Sequence, residues 1–398
     1  MMNYSVKLLL ISALLAAGEA IGLLADGASA LAPATFALVV LIVLFGYGLS
    51  FRFWPYLAVF FLGIALALAS NAESEELYRE RPWLRNRKNT IVRNRAYLSP
   101  AMFAAKKDLS RRIGIGLEHK RATADLNRAI LLGERKQISG DVRNLFIEAG
   151  TMHIFAISGL HVMIIASLLV YAMILTGVPL RFAGAAGLIP LWFYVAIIGT
   201  PPSAVRAAIM ATFYFSAPLF FRRPDALVAW TLTFLVVHIT NPQLLFDVGN
   251  ALSFTIMLAI LLWIKCMSRF CSARINCVAI TLVAWLAGVP IAAHVFGRIT
   301  PGGIMANLAL MPAATISVVT GVLGATVSFV SETVAAHINN LAALFTEVMY
   351  AVSHITVSLT GGSILTHPWS IWECFICYVG VVAPFFLAYL HQTKKRIL

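Results

Sequence analysis

The stretch GTMHIFAISGLHV, residues 150 to 162, places His153, Ser158 and His161 in an otherwise apolar run. On a helix Ser158 and His161 are three positions apart and share a face. A hydroxyl beside an imidazole is the pair that nucleophilic hydrolysis uses, but no third orienting group and no G-x-S-x-G turn accompanies it. His153 and His161 are eight apart, roughly 12 Å on an unbroken helix, too far to chelate one ion. A structural account also fits: Ser158 bonds a carbonyl one turn back, Gly159 permits close packing, and the imidazoles bond neighbouring helices. Against it, polar groups at membrane depth usually face a cavity and mark a pathway.

A second constellation is GTPPSAVRAAIM, residues 199 to 210. Thr200 suits a cap, Pro201 or Pro202 suits a first helical turn, and Arg206 follows within the first turns. A cation at the positive end of a helix is misplaced unless an anion joins it. Free backbone N–H groups with a guanidinium make a phosphate-sized site. A snorkelling arginine, or a pair with an acid such as Asp247, is the other reading. In NPQLLFDVGNALSF, residues 241 to 254, Pro242 stops one helix, Asp247 caps the next, and Ser253 points into the span. Pro290 and Pro312, with PGG at 301 to 303 and Asn307 between them, signal broken helices, which membranes tolerate beside cavities. Simple kinks are the alternative.

The elements that must hold these residues are membrane helices. The 398 residues are 60% hydrophobic and 12% charged, which excludes a large soluble core and points to an all-α polytopic membrane protein. Apolar runs predict about twelve transmembrane helices: three near 6 to 24, 34 to 50 and 54 to 70, then nine from residue 152 to 391, some broken or re-entrant. Domain boundaries follow: 1–70 as three N-terminal helices, 71–121 as a basic extracytoplasmic segment, 122–391 as the membrane domain and 392–398 as a basic cytoplasmic tail. An N-terminus inside places Arg181, the Arg222–Arg223 pair, Lys265 and the tail in the cytoplasm, as the positive-inside rule asks. One exception remains, because residues 71 to 121 hold thirteen Lys or Arg against six acids and fall outside.

That basic segment includes Arg85, Arg87, Lys88, Arg93, Arg95, Lys106, Lys107, Arg111 and Arg112, interleaved with Tyr78, Trp83, Tyr97 and Phe103. Positive charge spaced by stacking rings suits single-stranded nucleic acid, and anionic lipid headgroups suit it equally. A solvated basic face on a surface helix is the plainer alternative. Residues 122 to 150 read as one or two balanced-charge amphipathic helices. Cys266, Cys271, Cys277, Cys374 and Cys377 lack the second ligand pair of a zinc site and read as free thiols or packing residues. No metal or cofactor is expected.

Taken in order, GTMHIFAISGLHV, GTPPSAVRAAIM, the stretch from Asn241-Pro242 to Leu252-Ser253-Phe254, and the Pro290, Asn307 and Pro312 spacing resemble the membrane domain of the ComEC competence proteins. The resemblance covers about residues 122 to 391. It implies a non-enzymatic channel passing one DNA strand across the bacterial cytoplasmic membrane, with His153, Ser158, His161, Ser203, Arg206, Asp247, Ser253 and Asn307 along the path. It also implies a separate nuclease, a cytoplasmic translocation motor and a homodimer as partners. Departures are Gly249-Asn250-Ala251 where the family tends toward Gly-Phe-Gln, and no H-x-H-x-D-H cluster. An intramembrane hydrolase using Ser158 and His161, or a transporter of small anions or lipids, are the competing classes.

Overall fold

The computed structural model describes residues 100–370 and 372–380, and these are helical almost throughout. In chain order the helices are α1 (Pro100–Ile113), α2 (Arg121–Leu132), α3 (Gly140–Glu148), α4 (Gly159–Leu175), α5 (Leu180–Ile197) and α6 (Pro202–Ser216). They continue as α7 (Ala226–Thr240), α8 (Val248–Cys266), α9 (Ala273–Phe296), α10 (Gly303–Val327) and α11 (Glu332–Thr360). Two strands of two residues each, β1 (Arg298–Ile299) and β2 (Ile364–Leu365), are the extended elements among the described residues. The three N-terminal helices expected before residue 71 lie outside the described residues, as does the tail.

Local chemistry sets the helix ends. Ser139, Asp225, Asp247, Ser272 and Ser331 each accept a backbone N–H of the following first turn, satisfying donors that a helix start leaves open. Gly133, Gly297 and Gly361 close helices in the left-handed conformation that glycine adopts without strain. Six helical segments are long and apolar enough to cross a membrane, and α4 and α7 are shorter apolar helices. The protein is therefore a helical membrane protein.

The chain divides into two compact units. One contains α1 to α6 with α10 and α11, around a core that includes Phe146, Phe155, Ile157, Val162, Leu191 and Leu310. Small residues let its helices approach closely: a Cβ at Gly184 of α5 would overlap the Phe215 carbonyl, and one at Gly187 would meet Val170 of α4 at 2.9 Å. The other unit contains α7, α8, α9 and residues 365 to 380. Trp230, Phe234, Phe254 and His238 pack together there, with the Trp230 indole N–H donating to the Phe254 carbonyl at 3.2 Å.

Two expectations need correction. The helix expected from residue 152 starts at Gly159, because Met152–Phe155 is a 3-10 turn and the chain is extended at Ala156 and Ser158. Pro290 and Pro312 do not break their helices: α9 and α10 run through them. Near Pro290, Tyr378 donates its hydroxyl to the Ala287 carbonyl and the Cys374 thiol donates to that of Pro290, which ties residues 374 to 378 to this part of α9. The break falls instead between them, at Gly297 to Gly302. α2 is amphipathic, with seven of its twelve residues buried.

Candidate functional site

The first two polar motifs meet as paired helix starts. Ser158 is the N-cap of α4, and its Oγ accepts the His161 backbone N–H at 3.3 Å. In return the Ser158 backbone N–H donates to His161 Nδ1 at 3.4 Å, which completes a capping box with histidine in the place of the usual Glu or Gln. The hydroxyl and the imidazole thus serve the backbone, and the imidazole nitrogen facing the cap is used as an acceptor. A base for Ser158 is not built here. The pairing on one helical face expected from sequence becomes a cap because the serine stands just outside the helix.

Beside this start lies that of α6. Ser203 donates its hydroxyl to the Ile157 carbonyl at 2.7 Å, joining the two motifs one residue before the α4 cap. The two helix starts pack side by side, and a Cβ at Gly159 would make ordinary contact with that of Ala207 at 3.7 Å. Pro201 is the N-cap and Pro202 the first helical residue of α6, so its start carries no side-chain cap. Thr200 does not cap as expected: it takes φ of +49°, a strained value for a β-branched residue, immediately after Gly199 at +89°. Arg206 follows one turn into α6 and is buried.

The starts do not lie at the end of the bundle. A Cβ at Gly133, which caps the end of α2, would meet Ile157 at 3.2 Å. Leu131 presses on Gly321, about three-quarters of the way along α10, and the Tyr194 hydroxyl of α5 donates to the Leu131 carbonyl at 2.7 Å. Half-helices that begin inside a membrane present their positive ends to whatever occupies the interior.

The remaining expected residues are dispersed. His153 is exposed in the 3-10 turn ahead of Ser158. Asn307 is half-buried on the second turn of α10, with its Oδ1 enclosed and lacking a hydrogen bond. Asp247 and Ser253 belong to the other unit, where Asp247 caps α8 through the Asn250 N–H at 2.7 Å and Ser253 is exposed. Of the basic segment, Arg85, Arg87, Lys88, Arg93 and Arg95 lie outside the described residues. Lys107 and Arg111 are exposed on α1, while Lys106 and Arg112 are half-buried. Arg112 bonds Asp108 at 2.6 Å and Ser328 at 3.0 Å and covers the Phe329 ring, so it holds α1 in place. The cysteines 271, 277, 374 and 377 are free thiols, and no metal-holding cluster occurs among the described residues.

Sequence reasoning missed two buried polar groups. Thr346 of α11 donates to Asn127 Oδ1 and shares a hydrogen bond with Ser317 of α10 at 3.1 Å. The signal was present as Asn339, Thr346 and Ser353, seven residues apart on one apolar helix and all buried. In the other unit His238 Nε2 pairs with Asn250 Nδ2 at 3.0 Å. Asn250 is the residue at which the third motif departs from the family pattern, and here it anchors a buried histidine.

A helical membrane protein whose polar motifs converge on helix starts inside the bundle defines the class. Residues 130–391 match the model of the family described as "Competence protein", and the chain belongs to that family. It is 29% identical over 194 residues to "ComE operon protein 3" of Bacillus subtilis (strain 168), covering 49% of this chain and 25% of the relative. It is also 27% identical over 197 residues to a protein of Aquifex aeolicus (strain VF5) named "Uncharacterized protein", covering 49% of this chain and 45% of that one. The chain thus spans from a quarter to under half of the length of these relatives. No solved structure matches it.

Proposed function

We propose that this protein passes single-stranded DNA across the bacterial cytoplasmic membrane during natural transformation, along a path that runs by the paired starts of α4 and α6. The observation that carries the reading is the 2.7 Å bond from Ser203 to the Ile157 carbonyl, which joins two motifs through residues 46 positions apart. Family membership agrees with it. The α4 start is neutralised by its own cap, whereas the α6 start has no side-chain cap and carries Arg206 in its next turn, so an anionic phosphate finds its partners on α6. Ser203 and Arg206 contact the strand, Ser158 and His161 shape the wall, and His153, Asn307, Asp247 and Ser253 line further parts of the route. Basic residues of the 71–121 segment bind the strand or anionic lipid. A separate nuclease and a motor complete uptake, the chain works as a homodimer, and the C-terminal tail lies in the cytoplasm. A hydrolase is the weaker reading because Ser158 and His161 spend their polar atoms on the cap.

The test is transformation frequency with chromosomal DNA in a host lacking its own family member, restored with the wild-type gene or with Arg206→Ala. Rescue by the wild type and a fall of tenfold or more for a normally expressed Arg206→Ala protein support the conduit. Equal rescue by both removes Arg206 from the path.

A further inference from the structure

The α10–α11 hairpin acts as a ruler across the membrane. Its helices are antiparallel: Gly302 lies against Thr356 and Thr360 at one end, and Gly324 against Asn339 near the other. The 29 residues of α11 span roughly 43 Å, more than the ~30 Å hydrocarbon layer. The exposed side chains Val334, Leu341, Leu344, Val348, Ile355 and Leu359 keep its outer face apolar from end to end. Both helices are long and apolar enough to cross.

Residues 100 to 150 touch this ruler at both ends. At the turn joining α10 to α11, Arg112 bonds Ser328 at 3.0 Å and Arg111 pairs with Glu332 at 3.7 Å. Just beyond, Asn339 donates to the carbonyls of Arg112 and Ile115, and Asn340 to that of Gly116. Halfway along α11, Lys120 pairs with Glu347 at 2.9 Å and Asn127 accepts from Thr346. At the far end a Cβ at Gly362 would meet that of Glu148 at 3.5 Å, and one at Gly150 would meet Thr300 Cβ at 2.8 Å. The distance from Asn340 to Gly362 along the ruler is about 33 Å.

We infer that residues 116–150 cross the membrane as a broken segment packed within the protein, so that α1 lies on the face of the α10–α11 turn and α3 on the opposite face. No single helix in it is long enough: α2 has 12 residues and α3 has 9. Broken backbone survives at membrane depth where protein satisfies it, and the Tyr194 hydroxyl of α5 does so for the Leu131 carbonyl at the end of α2. The Lys120–Glu347 pair, with side chains 37% and 42% exposed halfway along the ruler, requires water beside α2, because a partly exposed ion pair has no place in lipid. The same arrangement replaces the expectation that the basic segment lies outside, as far as residues 100 to 121 are concerned. Lys106, Lys107, Arg111 and Arg112 belong to the face of the α10–α11 turn, which the later loops already assign to the cytoplasm. Basic α1 then meets a transported strand on its exit, after the helix starts.

The experiment is cysteine accessibility. In a chain whose five cysteines are replaced by serine, single variants Ala104→Cys, Val330→Cys and Glu148→Cys are treated with a membrane-impermeant maleimide in intact spheroplasts and in inverted vesicles. Positions 104 and 330 should label from the vesicle side and 148 from the spheroplast side, each with at least a tenfold preference. Labelling of 104 and 148 from one side, or of 104 and 330 from opposite sides, overturns the inference. Should the cysteine-free chain fail to fold, the same three substitutions in the chain that keeps its own cysteines answer the question, with the labelled site read by peptide mass; labelling of 104 and 148 from one side again overturns the crossing. Neither readout involves DNA, so it stands or falls separately from the conduit.

Discussion

Replacing Ser158 tests what the hydroxyl is for. In the structure its Oγ accepts one N–H at 3.3 Å while its backbone donates to His161 at 3.4 Å. Both bonds are long, so each contributes at the low end of the ~0.5–1.5 kcal/mol of an ordinary net hydrogen bond. Ser158→Ala removes the first and leaves an N–H without its acceptor, a loss of about 1 kcal/mol, typical of a deleted N-cap. That corresponds to roughly a fivefold shift in the folded-to-unfolded ratio. Ser158→Asn restores a capping oxygen of equal rank but has no nucleophile, and His161→Gln restores the usual capping-box partner but has no imidazole. The assays are thermal unfolding of the purified protein in detergent and transformation frequency in the complemented strain. Ser158→Asn, His161→Gln and their double variant should stay within about threefold of wild type in transformation, with Ser158→Ala the least stable of the serine variants. A stably folded Ser158→Asn protein without activity would refute the capping account and return the hydrolase to consideration.

Two further outcomes test the packing and the anchoring of α1. Gly184→Ala drives a Cβ into the Phe215 carbonyl, whose backbone cannot step aside, so it should cost ~1–3 kcal/mol by thermal unfolding. Gly159→Ala, with ordinary contact to Ala207 at 3.7 Å, should be neutral or slightly stabilising, and the opposite order of the two variants would show that the α5–α6 and α4–α6 contacts are wrong. The Arg112 guanidinium bonded to Asp108 holds that carboxyl below the ordinary carboxylate range. A depressed folded value means that the pairing contributes above the ordinary carboxylate pKa of about 4 and is lost as pH falls through the folded value. Wild type should therefore exceed Asp108→Asn in melting temperature at pH 6, and the difference should vanish in acid; a difference that grows below pH 4 contradicts the pairing.

Much of the helical order was legible because apolar runs in a membrane protein register length directly. The apolar run from 226 to 240 forms α7, and Asp247 caps α8 as its position after a proline turn suggested. What stayed hidden has a shared cause. Arg121, Asp125 and Arg128 mark α2 as an amphipathic helix of balanced charge without saying what its apolar face meets, and Arg128 bonds Asp125 at 2.8 Å and the Ser110 carbonyl at 3.0 Å. Its charges are consumed locally, and its partner, the α10–α11 hairpin, lies nearly two hundred residues further on. Composition within a window cannot report such a partner. Pro312 misled for a related reason, since proline breaks a helix only where nothing else supports it.

The site itself was half legible. Both motifs carried residues of the right chemistry, but their meeting depends on the Gly199–Thr200 turn, which reverses the chain sharply enough to set α6 beside α4. The resulting arrangement is sparse in charge, with one buried arginine and one uncapped helix start on α6. For a polyanion moving through a membrane, sparseness is an advantage. Conduction requires sites that admit the charge and then release it, and a cluster of guanidiniums in a low-dielectric wall would hold each phosphate too long. Backbone N–H groups at a helix start supply partial charge that can be neither titrated nor rotated away. The basic side chains of α1 are numerous by contrast, and they stand at the end of the hairpin, where solvent screens them and lets a strand go.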